Sequence, residues 1–339
     1  MQYRAVRLTV IAAVATAVLA AAAGERTLPL RYLLDIPVKP AGAEFAGRTP
    51  RMDYETIDPG RRMLYLAYLG ANEVVAFDLE TNKVVAHVQG LDGVHGMLAI
   101  PELHRVYASA TGSNQVAAID ENSLKVTARA DGGDYPDGMA YDEGDQKVFV
   151  SDEHGGTDTV VDVRTNRTVD KVDLGGEAGN TQYDALRHRV YSDVQTRDDV
   201  VAIDPKADKI AARHALEGCE HDHGLLLDDV HRLAFVACDG NAKLLVMNLD
   251  SWKELATFPV GNDPDVLAFD QGLRRLYVAA ESGVVAVFEE EAGTVKPLGS
   301  GFLADEAHTV AVDPKTHKLY FALQNVGGRA VIRVMEPTP

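Results

Sequence analysis

The sequence predicts an all-β fold, one closed ring of seven four-stranded antiparallel blades, on three observations. A single pattern returns seven times at a period of 42 or 43 residues, the segments within it are short β-rich runs bounded by Gly, Asp, Asn and Pro, and the last repeat lacks one strand that the region before the first repeat can supply. Together these describe a seven-bladed β-propeller.

The first residues stand apart from that pattern. Arg4 and Arg7 precede an unbroken apolar or small run from Leu8 to Ala23, which ends in Ala21-Ala22-Ala23 before Gly24. A basic start, a short apolar stretch and a small-residue end mark a secretory signal peptide cleaved near Ala23 or Gly24. The run is shorter than the roughly 20 apolar residues a membrane span requires, so no span is expected in the mature protein. Residues 1–23 are thus expected to be removed, leaving 24–339 as one domain, periplasmic or secreted. Loss of Arg4 and Arg7 leaves 31 basic against 51 acidic residues, a net charge of −20 with His neutral. A phosphate backbone would be repelled, so nucleic acid is excluded as a partner and cations are favoured.

Each repeat is anchored on a polar residue that opens its first strand: Asp53, His95, Asp137, Asn180, His223, Asp265 and His308, spaced 42, 42, 43, 43, 42 and 43 residues apart. The first strand follows (MLAI, MAYD, LLLD, VLAF, TVAV), then a turn such as PELHR or PKTHK. The second strand (RVYASA, KLYFAL) and the third (EVVAFDL, DVVAID) come next, and a polar turn such as ETNK leads to the fourth. The seventh repeat stops at Pro339 with no fourth strand, and Arg31–Val38, RYLLDIPV, can complete it and remove the exposed edge.

The segments MLYLAYLGANEVVAFDLETNKVVAHV and RLYVAAESGVVAVF resemble the repeats of YVTN-type β-propellers, within the quinoprotein amine dehydrogenase-like superfamily, and the match recurs over about 290 residues. The resemblance implies the fold and leaves the activity open among binding proteins, surface proteins, lactonases, lyases and metal-dependent oxidases, so function has to come from a site.

In a four-stranded blade the loops that enter the first strand share a face with the loops joining second to third, and that face surrounds the channel mouth. The seven anchors therefore ring the axis. His95, His223 and His308 fall in blades 2, 5 and 7, as evenly as seven allows, and Asp53, Asp137 and Asp265 interleave with them. Three converging imidazoles with open positions suit Zn, Cu or Fe(II), with carboxylates orienting the rings from behind. The alternative is a water-filled mouth that takes polar residues for solvation alone. His221, two residues before His223 in EHDHG, adds a fourth nitrogen, and the joining loops add Asp152, Glu153 and His154 from SDEHGG and Asp239 from ACDGN.

Other titratable groups read as structural. His104, His188, His231 and His317 are expected at one turn position on the opposite face, His87 and His214 in outer strands, and Glu289-Glu290-Glu291 in a solvated turn. Asp263-Pro264-Asp265 could place a general base at the mouth. Cys219 and Cys238 flank the same two strands of blade 5, which in an oxidising compartment points to a disulfide. There is no G-x-S-x-G, P-loop, G-x-G-x-x-G or H-E-x-x-H motif. The sequence therefore supports an exported binding propeller holding a metal ion or small polar ligand, and next a metal-dependent lyase, lactonase or oxidase. A scaffold for protein partners is the third reading.

Overall fold

The computed structural model describes residues 27–45, 47 and 49–339, so the expected signal peptide lies outside the described residues. Seven four-stranded antiparallel sheets follow one another around a ring. Blade 1 holds Glu55–Asp58, Met63–Tyr68, Glu73–Asp78 and Lys83–Gln89, and blades 2 to 6 begin with Val94–Ile100, Pro136–Asp142, Ala178–Asp184, Asp222–Asp228 and Pro264–Asp270. Blade 7 takes Ala311–Val312, Leu319–Leu323 and Val331–Pro337 from the C-terminus and Leu30–Pro37 from the N-terminus. Among the described residues the only helical segments are short 3-10 turns, and none is long and apolar enough to cross a membrane.

The second and third strands of each blade are buried on both faces, as in RVYASA and EVVAFD, whereas fourth strands such as Lys125–Asp131 alternate between covered and exposed. A strand covered on both faces needs a neighbouring blade on each side. The buried apolar residues accordingly form clusters between blades: Leu64, Phe77, Tyr320 and Ile332 join blades 1 and 7, and Tyr65, Val74, Val106 and Ile119 join blades 1 and 2. Five further clusters occupy the remaining junctions.

Closure follows the expected design. Leu30–Pro37 pairs antiparallel with Val331–Pro337, from Leu30 opposite Pro337 to Pro37 opposite Val331. Arg333 donates from Nε and Nη2 to both oxygens of Asp35 at 2.8 Å across this seam. On the lower face, where first strands turn into second strands, Arg62 of blade 1 donates to both oxygens of Asp313 of blade 7 at 2.6 Å.

That lower-face pair belongs to a repeated device. The residue in the left-handed conformation of this turn is Arg62, His104, Gln146, His188, Arg232, Arg274 or His317, and in several blades it reaches the Asp that ends the preceding blade's first strand. Arg232 donates to Asp184 at 2.9 and 2.6 Å, and His317 Nδ1 to Asp270 at 2.9 Å. His231 is a correction to the expected register: Arg232 holds the repeat position, and His231 bonds Asp228 of its own blade at 2.7 Å. A second correction concerns Glu289–Glu291, which continues the third strand of blade 6 rather than forming a turn. Lys296 pairs with Glu289 and Glu291, and Arg274 with the buried Glu290. His87 and His214 are structural as expected, the first on Glu73 at 2.8 Å and the second stacked on Trp252.

A chain that lacks residues 24–40 would expose the Val331–Pro337 edge and the apolar surface beneath Leu33, Leu34 and Ile36. Its thermal midpoint, followed by circular dichroism, is expected to fall by on the order of 10 °C, as a loss of a few kcal/mol requires in a domain of this size. An unchanged midpoint would show that this strand does not stabilise the ring.

Candidate functional site

On the upper face the beginnings of the first strands and the second-to-third turns surround a bowl of about 460 Å³. Seven carboxylates line it, from Asp53, Asp137, Glu153, Asp239, Asp263, Asp265 and Glu281, and Arg51 is the one guanidinium. Arg51 is spent on this ring, with Nη2 on Glu281 at 2.7 Å and Nε 3.6 Å from Asp53. The mouth is therefore strongly acidic, and four of its carboxylates, Glu153, Asp239, Asp263 and Glu281, lie outside the anchor row.

Its floor is a residue that the sequence pattern does not reveal. Tyr54 follows the anchor of blade 1, and its hydroxyl accepts a hydrogen bond from Asn180 Nδ2 of blade 4 at 2.8 Å, across the channel. Beneath it lies a smaller cavity of about 180 Å³, lined in part by Gly96, Gly138 and Leu225. This overturns the expected register of blade 4. First strands begin at Pro136 and Ala178, so the residue equivalent to Asp137 is Gly179, and Asn180 is equivalent to Tyr54, Gly96 and Gly138. The anchor ring is therefore interrupted at blade 4, and Asn180 supports the floor instead. Glycine at the position after the anchor lets inner strands approach closely: a Cβ on Gly96 would lie 1.9 Å from the Asp137 carbonyl oxygen, and one on Gly224 2.3 Å from that of Asp265.

The histidines divide by what holds them. His95 and His308 share one arrangement, in which Nδ1 donates to the carbonyl two residues earlier, Gly93 at 2.8 Å and Glu306 at 2.9 Å. That bond places the proton on Nδ1 and leaves Nε2 as an acceptor or ligand. Nε2 of His95 accepts from the Tyr135 hydroxyl at 3.1 Å, while Nε2 of His308 is buried without a hydrogen-bond partner. His223 is paired differently, with Nε2 3.3 Å from Asp265. Burial works against charge on this ring, but Asp265, with Asp137 and Glu153, outweighs it and holds the imidazolium up to about 10. Burial likewise favours a neutral Asp265, and His223 overcomes this and keeps the carboxylate below its ordinary range. Asp137 lacks such a partner, and burial pushes it up to about 7, with Asp53 adding to the effect against the opposing pull of His95.

His221 lies at the rim, bonded through Nδ1 to Asp239 at 2.7 Å. His154 is exposed, with its ring 4.2 Å from that of Tyr135, which sits between it and His95 at 5.1 Å. Tyr135, in the left-handed conformation at +63°, is the second residue that sequence reasoning missed. Asp152 is consumed structurally by Gly133 N, Thr157 and Thr159 at 2.6 to 2.7 Å. Among the described residues, nitrogen and oxygen ligand atoms from three side chains come within 4.8 Å of one another at Asp142, Asp145 and His188, on the lower face. The mouth imidazoles are not so close.

Beside the mouth, Asp193 of blade 4 and Asp222 of blade 5 are fully buried, and no side-chain oxygen of either has a hydrogen-bond partner. Burial raises both, and the Asp193 charge raises Asp222 further, while His223 and Asp222 draw Asp193 back only in part, so the pair retains a proton well above the usual carboxylate range. Cys219 and Cys238 form a disulfide, with Cα atoms 5.4 Å apart, that ties the loop carrying His221 and His223 to the second strand of blade 5.

No protein-family model and no curated protein sequence matches the chain. Solved structures do. A chain of Kuenenia stuttgartiensis hydrazine synthase is similar with a TM-score of 0.73 at 13% identity, covering 84% of this chain and 95% of that one. A chain from the crystal structure of a mitotic checkpoint complex is similar with a TM-score of 0.73 at 9% identity, each chain covered in full. This likeness shows the fold alone. At such identities the site has to be read from its own residues.

Two outcomes follow from the groups beside the mouth. A carboxyl raised in the folded state binds protons that the unfolded chain releases above about pH 4, so the Asp193–Asp222 pair stabilises at low pH and that contribution is lost as pH rises. Asp193→Asn is therefore expected to raise the thermal midpoint at pH 8, by roughly 2–4 °C per kcal/mol relieved, and to change it little at pH 4; an equal shift at both values would show that the pair does not share a proton. Reduction of Cys219–Cys238, which closes a separation of 19 residues, is expected to cost roughly 3 kcal/mol in denaturant unfolding.

Proposed function

We propose that this propeller is a binding protein whose upper mouth holds a cation, in the first instance a transition metal ion, with His95, His223 and His308 as nitrogen donors and Asp53, Asp137 and Asp265 as the carboxylates around them. The observation that carries this reading is the pair of rings whose Nδ1–H is tied to the backbone two residues earlier. That bond directs Nε2 away from the backbone, and at His308 the nitrogen is buried with no partner. An imidazole so held is the arrangement in which histidine ligates metals. The seven carboxylates facing one committed guanidinium supply the field that concentrates a cation there. Zn, Cu and Fe(II) all suit nitrogen and carboxylate donors, and a small polar cation would use the same field without the nitrogens.

A catalytic role for the mouth is favoured by one group. Asp137, raised to about 7, can take up and release a proton near neutral pH beside a bowl open to solvent, as a lyase, lactonase or oxidase would need. Protein partners are supported more weakly, by the propeller in the mitotic checkpoint complex. Export to a periplasm or the cell exterior, and kinship with YVTN-type propellers, rest on the N-terminal pattern and the repeat segments, and the disulfide is in keeping with an oxidising compartment.

The test is calorimetric titration of chelator-treated protein with Zn²⁺. Binding is expected, weakening at least tenfold in His95→Ala/His308→Ala and falling below about pH 6 as imidazoles protonate. Because the His223 ring carries a proton up to about 10, engaging it should release that proton, so the apparent enthalpy at pH 7.5 should depend on the ionisation heat of the buffer. Zn²⁺ affinity unchanged by the double substitution would remove the mouth as the binding site.

A further inference from the structure

The lower face carries a second constellation, at the junction of blades 3 and 4, and it departs from the device repeated around the ring. Of the three arginines at the left-handed turn position, two grip the preceding blade's Asp with two hydrogen bonds, Arg62 on Asp313 and Arg232 on Asp184, and Arg274 turns instead to Glu290 of its own blade. His317 makes the shorter equivalent, with Nδ1 at 2.9 Å from Asp270. At blade 4 the residue is His188, and it does neither. Its Nε2 stands between two carboxylates, 3.4 Å from Asp142 Oδ1 and 3.3 Å from Asp145 Oδ2. Asp145 is the second departure, since the corresponding residue in the other blades is Arg61, Leu103, Arg187, His231, Leu273 or Thr316. Acid is placed here and nowhere else in that row.

The geometry of the cluster is that of a ligand set rather than of a hydrogen-bonded pair. Two atoms bound to one tetrahedral metal at about 2.0–2.1 Å stand about 3.3–3.4 Å apart, the separations that His188 shows to each carboxylate. A direct imidazole–carboxylate hydrogen bond is shorter, as His231 on Asp228 shows at 2.7 Å. All three ligand atoms lie within 4.8 Å of one another. His188 Nε2, Asp145 Oδ2 and Asp142 Oδ2 are each buried with no hydrogen-bond partner, and Asp142 is wholly inaccessible to solvent. The Asp142 carboxylate is fixed by Gly144 N at 2.9 Å and Asp145 N at 3.3 Å. A Cβ on Gly144 would stand 3.1 Å from His188 Nε2, so glycine keeps the space between the donors clear. Lys147, the nearby cation in the next strand, is engaged with Asp208 at 2.7 Å and does not neutralise the pair.

We propose that Asp142, Asp145 and His188 form a binding site for a divalent transition metal ion, zinc or a similar borderline ion, which joins blades 3 and 4 on the face opposite the mouth. Two carboxylates and one imidazole neutralise a divalent charge, and because the His188 and Asp145 side chains are partly exposed the cluster lies near the surface, where water would supply the fourth ligand. The site is independent of the mouth, since it shares no residue with it and lies at the other end of the channel wall.

Cobalt(II) reports such a site directly, because tetrahedral Co²⁺ has an intense visible d–d band at longer wavelength than the weak absorption of hydrated Co²⁺. Chelator-treated full chain titrated with Co²⁺ is expected to develop this band and lose it when Zn²⁺ is added. Asp145→Asn and His188→Gln, which preserve size, should each weaken uptake at least tenfold while leaving the midpoint of the metal-free protein within a few degrees. His95→Ala/His308→Ala, which tests the mouth, should keep the band. No band in the wild-type chain, or a band that survives both lower-face substitutions when they are made in the His95→Ala/His308→Ala background, overturns the proposal. A band lost only in the mouth variant overturns it and supports the mouth, whereas a mouth variant without effect leaves this site standing.

Discussion

Every blade of this ring is covered on two faces by its neighbours, and the rest of the molecule depends on that constraint. The second and third strands carry apolar side chains on both sides, so no blade has a core of its own, and each buried cluster is divided between two repeats. A strand pattern of this kind has no free face to present to water. It can be satisfied only by a ring that returns to its start, which is why a strand from residues 30–37 is found beside the C-terminal strand and why Arg62, at the beginning of the chain's first blade, is bonded to Asp313 of the last.

Around that ring the acidic excess of the chain is treated in two ways. On the lower face, most aspartates that end a first strand bind their own turn and meet an arginine or histidine, usually from the following blade, so their charge is absorbed into the joints. On the upper face, Arg51, His221 and His223 answer some of the ring of carboxylates, and Asp137 is left to titrate. The same composition thus builds cohesion at one end of the channel and an unsatisfied field at the other. The junction of blades 3 and 4 is where the lower face behaves like the upper one.

Much of this was legible in the sequence because propeller geometry translates period into position. The anchors at 53, 95, 137, 223, 265 and 308, the closing strand and the cysteine pair all follow from counting along the repeats. Blade 4 escaped the count because its anchor is Gly179, which offers no side chain to recognise, and Asn180 one residue later looked equivalent while occupying the row of Tyr54 and Gly138. Tyr54 and Tyr135 were missed for a related reason: neither sits at an anchor, and their importance comes from reaching across or stacking between blades, which period alone does not encode. His188 was read as an ordinary turn residue, and only the spatial neighbourhood of Asp145 sets it apart from His317.

The seam that closes the ring also fixes a schedule. Arg31 lies opposite Glu336, so the first strand among the described residues has its partner 305 residues further along the chain. Blades 1 to 6 can pair their strands locally as they are made, but the seventh has to wait, and until it forms, the outward faces of blades 1 and 6 remain uncovered. Contacts this distant in sequence are slow to find, and partly covered sheets invite the wrong neighbours. Completion is therefore a late, all-or-none event that requires the whole chain in one place, and a ribosome or a protease that stops short of the last ten residues leaves a molecule that has most of its strands and no closed circle.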